Sequence, residues 1–371
     1  MSNDNLYKRG EIWWLRTTVA GREFRESLRT NDVKAARKRR DARLAEIEGA
    51  VRFGEVKHTW DDAVTEWGRH AIGQTARSTT KRYAVSLKQC EPFLRSLDIS
   101  SIDGKTIQHL INQRRQVDKA TPATVRRDLT AISRVLEHAE ALGWREGNPT
   151  LSKRRLLKER RNPICLPGAE DISIIVRFSS PRFGALISGA LLTGCRQEEL
   201  TNLTWKQFNA KTGTLEVIGK GNKRRTIQLS EAATAHLDGT VRVLGSDLIF
   251  CTPQGTKWAS PASYFVKIRT ALEKKADHAR AWHEALKGKN VRDELTPDQL
   301  EEFDRLMPLK DFRPFRFHDL RHLWAVEALK GGMGIYALSK HLGHTSVSIT
   351  ERVYLAFLTP EEAEAAKAKA A

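Results

Sequence analysis

Two short stretches in the second half of the chain place cationic side chains where they could form a reaction site. Arg196 precedes Glu199 by three residues at the expected start of a helix, so the carboxylate can reach and orient the guanidinium group. Lys220 stands between two glycines at the expected tip of a β-hairpin, where an ammonium group can swing into a site closely lined by backbone. These residue types are suited to holding an anion.

A further group of candidates follows toward the C-terminus. His318 and Arg321 are spaced to share one face of a helix, and His344 and Tyr354 come after them. Two arginines, a lysine and histidines that converge on one point suit a phosphate whose negative charge grows in the transition state. A tyrosine would then be the nucleophile. A single tyrosine is more often a packing residue, so the prediction of phosphoryl transfer on a nucleic acid depends on the complete set.

A metal site is the competing interpretation of the histidines. His318 and His322 have the i, i+4 spacing of helical zinc ligands, and His341 and His344 could add two more. The glutamate of an HExxH motif is missing, no cysteine lies nearby, and the neighbouring arginines would repel a cation. We therefore predict no metal and no other cofactor, and we expect His322, one turn along the helix from His318, to be structural.

The composition points to a polyanionic partner. Lys and Arg number 63 against 45 Asp and Glu, which gives a net charge of +18 in 371 residues. No apolar leader follows Met1, and no uncharged apolar run reaches the roughly 18 residues of a membrane span. The 4 cysteines are scattered without a CxxC pair, so we expect a cytoplasmic protein and exclude a secreted disulfide scaffold.

The element pattern predicts a mainly α-helical α+β protein with small β elements and three domains. Residues 1–55 contain β-rich segments and a basic helix, and residues 57–150 carry four amphipathic helical stripes. Residues 151–165 form a basic linker, which we expect to be extended because of its charge. Residues 166–371 carry the candidate reaction site and include a charged, helix-like stretch between residues 276 and 310.

Basic residues outside the reaction site are the candidates for contact with DNA phosphates. They occupy the helix of the first domain, the fourth helix of the second domain, the linker and the hairpin. A solvated helix face or hinge is the ordinary alternative for such charge runs. The candidates are Arg37, Lys38, Arg40, Arg126, Arg127, Arg134, Lys153, Arg154, Arg155, Lys223 and Arg224.

Four motifs together resemble the tyrosine recombinases, specifically the phage-type integrases. They occur in the order and at spacings compatible with that family, and the resemblance is specific only in the third domain. The first two domains resemble the arm-binding and core-binding domains of integrases in composition. The motifs are residues 193–200 (TGCRQEEL), 219–225 (GKGNKRR), 318–322 (HDLRH) and 342–345 (LGHT), followed by Tyr354.

The resemblance implies a role for each candidate. Arg196 and Arg321 would clamp the scissile phosphate, with Glu199 supporting Arg196 and the histidines. Lys220 would protonate the leaving 5′ oxygen, although Lys223 on the same hairpin competes for that role. The remaining roles are deprotonation of the tyrosine for His318, a bond to a phosphate oxygen for His344, and formation of a 3′-phosphotyrosyl link for Tyr354.

The resemblance also implies partners and leaves alternatives open. It implies double-stranded DNA with core and arm sites, a homo-oligomer that is a tetramer in the synaptic complex, and accessory DNA-bending and directionality proteins. It implies action in the cytoplasm of a bacterial host, at the nucleoid and without a membrane. The leading function is integration of a phage or other mobile element. The alternatives are a resolvase or invertase of the same fold, and a DNA-binding regulator or catalytically inactive relative.

Overall fold

The structure is a computed structural model that describes residues 4–19, 21–52, 57–158, 163–219 and 221–368. The chain divides into two compact units, Met1–Asn162 and Pro163–Ala371. Helices predominate and both sheets are small and antiparallel, which confirms the predicted fold class. Among the described residues, no helix has the length and apolar character that crossing a membrane requires.

The first unit begins with a three-stranded antiparallel sheet and a long basic helix. The sheet has the order β1-β2-β3, and α1 covers it with a core of Leu15, Leu28, Ala36 and Ile47. Strand β1 is short and charged, and it forms because its backbone pairs with β2 from Leu6 opposite Leu15 onward. These elements are β1 Leu6–Arg9, β2 Ile12–Val19, β3 Arg22–Ser27 and α1 Val33–Arg52.

The rest of the first unit is helical around a separate core. The Thr59 hydroxyl and the Asp62 carboxylate form a capping box at the start of α2. The stripe on α5 is buried, as its periodicity predicted, through Val125, Leu129 and Leu136. The helices are α2 Trp60–Ala71, α3 Arg77–Leu94, α4 Gly104–Gln116, α5 Pro122–Ala141 and α6 Thr150–Leu156, with a 3-10 turn at Ile99–Ser101.

Helix α6 corrects the prediction of an extended linker for residues 151–156, the first part of the predicted range 151–165. Asn148 Oδ1 accepts hydrogen bonds from the Thr150 amide at 3.1 Å and the Thr150 hydroxyl at 2.6 Å, which satisfies donors at the start of the helix. Lys153 Nζ donates to Gln108 Oε1 on α4 at 3.1 Å. The positive charge therefore does not extend this segment, because local capping and packing outweigh repulsion. Residues 159–162 lie outside the described residues.

The second unit surrounds a small β-hairpin sheet with helices. Its main core includes Phe183, Leu186, Phe250 and Phe265, and the stretch between residues 276 and 310 is helical as predicted. The strands are β4 Phe208–Asn209, β5 Thr214–Ile218 and β6 Arg224–Gln228. The helices are α7 Ala169–Arg177, α8 Pro181–Thr193, α9 Gln197–Thr201, α10 Glu231–Asp238, α11 Pro261–Ala285, α12 Val291–Glu294, α13 Pro297–Leu306, α14 Phe317–Lys330, α15 Ile335–Leu342, α16 Val347–Tyr354 and α17 Pro360–Ala368. Short 3-10 turns lie at Trp205–Gln207, Met307–Leu309 and Leu355–Phe357.

Helix α14 belongs to both cores of the second unit. Leu320 is buried in the main core, whereas Val326 and Leu329 are buried in a smaller core that also contains Leu338 and Tyr354. A helix packed at both ends holds its side chains in one place, because interiors are close-packed and a shift would open voids. The motif that α14 carries is therefore rigidly positioned.

Candidate active site

Arg196 and Glu199 make the contact that their spacing predicts. Arg196 is the residue before α9, and its backbone amide donates to Glu199 Oε2 at 2.8 Å. Its Nη1 donates to Glu199 Oε1 at 2.9 Å. The Arg196 side chain is 38% exposed, so its other face remains open to solvent.

Glu199 binds a second arginine, Arg225, that the sequence analysis did not select. Arg225 Nη1 and Nη2 donate to the two carboxylate oxygens of Glu199, each at 2.9 Å, in a bidentate pair. Glu199 is only 6% exposed. Its burial raises the pKa of the carboxyl group, but the hydrogen bonds from Arg225 and Arg196 outweigh this and lower the pKa to about 2. Glu199 is therefore ionised at neutral pH.

The alternation of strand β6 explains why Arg225, and not Arg224, enters the site. Arg225 shares a face with the buried Ile227, whereas Arg224 is exposed and pairs with Glu216 at 3.1 Å. Lys223 is also exposed. The period of two was the signal that could have identified Arg225. Lys220, the predicted general acid, lies outside the described residues.

Arg321 projects from α14 and is 2% exposed. Its Nη1 donates to the Gly194 carbonyl at 2.8 Å and its Nη2 to the Leu342 carbonyl at 2.6 Å. Those carbonyls lie at the C-terminal ends of α8 and α15, where the helix dipoles are negative. Loss of solvation, and then the charge of Arg196, lower the pKa of Arg321 to about 10, so it stays protonated at neutral pH.

The three arginines form one cluster around Glu199 and the end of α15. Arg225 Nε donates to the His341 carbonyl at 2.7 Å, and Arg196 Nη2 approaches the Gly343 carbonyl at 3.4 Å. Arg321 Nη1 lies 3.9 Å from Glu199 Oε2. One carboxylate therefore faces three guanidinium groups, and the excess positive charge favours binding of an anion such as a phosphate.

Tyr354 is the last residue of α16 and lies beside this cluster. It is 1% exposed, and its hydroxyl is 3.1 Å from His322 Nδ1. Burial raises the pKa of the phenol, while the charges of Arg321 and Arg196 act in the opposite direction. His322 thus contacts the candidate nucleophile, a contact that its spacing in the sequence did not predict.

His318 lies at the edge of the site. Its ring meets that of His322 edge to face, with centroids 4.8 Å apart. Loss of solvation, followed by the charges of His322 and Arg321, lowers the pKa of His318 to about 4. The His318 side chain remains exposed to solvent, and the lowered pKa means that its ring is neutral at neutral pH.

His344 faces Tyr354 from the loop between α15 and α16. The two rings are nearly parallel, with centroids 6.5 Å apart, and His344 Nδ1 is 2.8 Å from the hydroxyl of the buried Thr350. This contact occupies Nδ1 and leaves Nε2 for another partner. Burial, and then Arg321, lower the pKa of His344 to about 4. Thr350 is a positioning residue that the sequence analysis did not identify.

His341 makes packing and hydrogen-bond contacts that do not suit a metal ligand. His341 Nε2 is 2.8 Å from the Thr193 carbonyl, and its ring stacks on Trp324 at 4.1 Å. Since a carbonyl only accepts, Nε2 carries the proton and cannot be a ligand. Within the described residues, no cluster of three or more His, Cys, Asp and Glu could hold a metal ion.

The candidate DNA contacts of the first unit differ in how free they are. Arg37 Nε is 3.3 Å from Asp4 Oδ2, and Arg40 pairs with both Asp4 and Asp41. Arg134 pairs with Glu137 at 3.0 Å, and Lys153 is bound to Gln108. Arg154 is half-buried on α6. Arg37 and Arg134 are exposed as well as paired, whereas Lys38, Arg126, Arg127 and Arg155 are exposed and form no salt bridge with any described residue.

Comparison with known proteins places this arrangement in a family. The model of the phage integrase family matches residues 175–359, and that of the phage integrase N-terminal domain matches residues 5–47. The integrase of Salmonella phage P22 is 23% identical over 94% of this chain and 90% of its own length. Tyrosine recombinase XerD of Lacticaseibacillus casei is 24% identical over 64% of this chain and 73% of its own length.

Solved structures share the fold. A lambda integrase dimer bound to a COC′ core site superposes with a TM-score of 0.61 and 19% identity, covering 94% of each chain. The Tn1549 transposon integrase in complex with transposon right end DNA gives 0.59 and 17% identity, covering 84% of this chain and 99% of that one. The named relatives are integrases and recombinases, so a non-catalytic regulator gains no support. The chain belongs to the phage integrase family of tyrosine recombinases, the enzymes of site-specific DNA recombination.

Proposed function

We propose that this recombinase is the integrase of a phage or other mobile element and cleaves DNA through a 3′-phosphotyrosyl intermediate at Tyr354. One observation carries the proposal. The Tyr354 hydroxyl is buried in the same site as three guanidinium groups that a single carboxylate does not neutralise. A phosphate drawn to the arginines would be brought next to the phenol oxygen.

The chemistry follows from the charges. The Tyr354 phenol gives up its proton to a histidine of the site, its oxygen attacks the scissile phosphorus, the bond to the 5′ oxygen breaks, and the phosphate stays on the tyrosine. Arg196 and Arg321 bind the non-bridging oxygens, and their fixed charge stabilises the transition state. We assign protonation of the leaving 5′ oxygen to Lys220 and contact with the phosphate to His318 and to His344 through its free Nε2. The phosphotyrosyl bond stores the energy of the broken bond, so rejoining needs no ATP.

Glu199 and Arg225 would support this chemistry without touching the phosphate. Arg225 fixes both carboxylate oxygens of Glu199, and Glu199 in turn orients Arg196. A guanidinium group that is already held in place needs little reorganisation when charge develops on the phosphate.

We extend the proposal to domains and partners. Residues 1–55 would bind arm sites, residues 57–150 would bind core sites, and residues 166–371 would carry out the reaction. The phosphate contacts would include Lys38, Arg126, Arg127, Arg134, Arg154 and Arg155, with a smaller share for Arg37 and Arg40, which already pair with Asp4. The known structures include a lambda integrase tetramer bound to a Holliday junction, and we infer a tetrameric synaptic complex here too. Accessory bending and directionality proteins, and action at the nucleoid in a bacterial cytoplasm, belong to the same proposal.

A nicked suicide substrate tests the nucleophile. Cleavage near a nick releases a short strand and traps the covalent protein–DNA adduct, which is resolved on a denaturing gel. Tyr354→Phe removes one oxygen and little volume, so DNA binding should stay near that of the wild type while the adduct disappears. Tyr336→Phe, at an exposed tyrosine, is the matched control. Adduct at the wild-type level in Tyr354→Phe, or adduct that requires a divalent metal, would refute the proposal.

A further inference from the structure

The contact between His322 and Tyr354 joins two rigid elements. His322 lies in the second turn of α14, and Tyr354 closes α16, 32 residues later. Both helices pack in the smaller core of the unit, in which Tyr354 is buried. The 3.1 Å distance between Nδ1 and the phenol oxygen therefore reflects packing and not a chance approach of two surface side chains.

His318 does not share this position. Its ring touches that of His322 from the solvent side, and within the described part of the chain no hydrogen bond joins it to Tyr354. Of the two histidines in the 318–322 motif, His322 is the one within reach of the reacting oxygen. A general base must be within hydrogen-bond distance of the proton that it abstracts, so geometry favours His322.

We propose that His322 is the proton acceptor for Tyr354, an inference that rests on the proposed function. The Tyr354 O–H bond breaks, its proton moves to His322 Nδ1, and the oxygen electron pair forms the bond to phosphorus while the bond to the 5′ oxygen breaks. In rejoining, the 5′ hydroxyl attacks, the phosphotyrosyl bond breaks, and His322 returns the proton to the tyrosine. His318 then remains free to contact the phosphate.

The surroundings of His322 suit this role. Loss of solvation lowers its pKa, which keeps the ring neutral and able to accept a proton at neutral pH. Asp319 on α14 favours the protonated ring, whereas Arg321 on the same helix and Arg316, the residue before the helix, oppose it. Tyr354 and His344 face it from the other elements of the site. Arg321 also stabilises the phenolate that forms as the proton leaves.

The first experiment separates proton transfer from positioning. Single-turnover adduct formation on the nicked substrate, at saturating DNA, is measured for wild type, His322→Asn, His322→Ala and His318→Asn, with His283→Asn, at an exposed histidine of α11, as the matched control. Asparagine can still hydrogen-bond the phenol but cannot take its proton. We expect both His322 variants to be slowed about 100-fold or more, the usual contribution of a general base. Wild-type rates in His322→Asn would overturn the proposal, as would a loss confined to His318→Asn.

The second experiment restores the reaction by making the phenol more acidic. 3,5-Difluorotyrosine is incorporated at position 354 by nonsense suppression in the wild type and in His322→Asn. If His322 takes the proton, a more acidic phenol depends less on a base. The fluorinated tyrosine should then raise the rate of adduct formation in His322→Asn about tenfold more than in the wild type. Equal effects in both backgrounds would contradict the assignment. The unmodified wild type tests the proposed function independently, because it must form adduct whatever the role of His322.

Discussion

The arginines of the second unit and the basic residues of the first unit carry the same charge in different settings. Arg321 is buried, and two helix-terminal carbonyls bind its guanidinium group. Lys38, Arg126 and Arg127 are exposed to solvent. A charge that is fixed before the reaction stabilises a transition state, whereas a solvated charge adds affinity that salt screens. We therefore predict that the buried arginines serve catalysis and that the solvated basic residues serve binding.

Arg321→Ala should give the largest effect in this comparison. It removes a fixed charge from the phosphate site, and we expect cleavage to fall by roughly 10²–10³-fold or more, as for loss of an oxyanion-stabilising donor. Affinity for core DNA should change little, because exposed basic residues supply most of it. Adduct formation on a suicide substrate and a binding titration at the same salt measure the two quantities. An equal loss of both would contradict the separation.

Glu199→Gln should show how the cluster is held together. The pKa of Glu199 is lowered from 4.5 to about 2, which corresponds to roughly 3 kcal/mol of stability. Because the folded pKa is the lower one, this contribution is fully present above pH 4.5 and is lost as the pH falls through 2. We therefore expect the variant to be less stable than the wild type at pH 6 and nearly equal to it near pH 2.

Urea unfolding of both proteins across this pH range measures the difference. Asp62→Asn, at an exposed capping carboxylate of the first unit, is the control in which only a cap is lost. A difference between wild type and Glu199→Gln that stays constant from pH 6 to pH 2 would show that the carboxylate does not act through its charge.

The sequence predicted the parts of the site that depend on local spacing. Arg196 and Glu199 meet because they are three residues apart at the start of a helix, and this local contact does not depend on the rest of the fold. Arg225 was not predicted as a site residue because its pairing with Glu199 depends on which face of β6 points inward. His322 was assigned a structural role because helical spacing alone does not show that α16 brings Tyr354 to it. Contacts between elements that are distant in the sequence could not be predicted without the three-dimensional fold.

In the expected linker, the sequence predicted a structure that the fold does not have. Its charge suggested an extended chain, but Asn148 Oδ1 accepts hydrogen bonds from Thr150 at the start of α6, and Lys153 binds Gln108 on α4. Strand β1 was missed for a related reason, because Leu6–Arg9 has little strand character until β2 pairs with it. In both places a contact made by the fold decided the structure against the local composition.

A glycine pair gives a smaller test of how the arginine cluster is supported. Gly194 has a φ of +63°, and a Cβ there would lie 2.4 Å from the Trp324 ring. Its carbonyl is also a partner of Arg321. Gly143 has a φ of +75° with open space around it, so Gly143→Ala measures backbone strain alone.

We expect Gly194→Ala to lower the free energy of unfolding by about 1–3 kcal/mol more than Gly143→Ala, the usual penalty for overpacking. It should also slow cleavage, because the carbonyl that binds Arg321 would shift. Thermal unfolding and adduct formation measure the two effects. Equal stability of the two variants would mean that Trp324 moves aside at no cost.

The smallest effects should come from the solvated charges. Replacing Arg126 and Arg127 with Gln should weaken DNA binding for all sequences and reduce the slope of log affinity against log salt by about 0.9 per lost phosphate contact. Arg37 and Arg40 are engaged by Asp4, so the same change there should affect the stability of the β1–β3 sheet more than the salt slope. Titrations at several salt concentrations compare the two pairs. Cleavage at saturating DNA should be unchanged for Arg126 and Arg127, since neither belongs to the arginine cluster, and a slower reaction there would show that solvated charge also serves the chemistry.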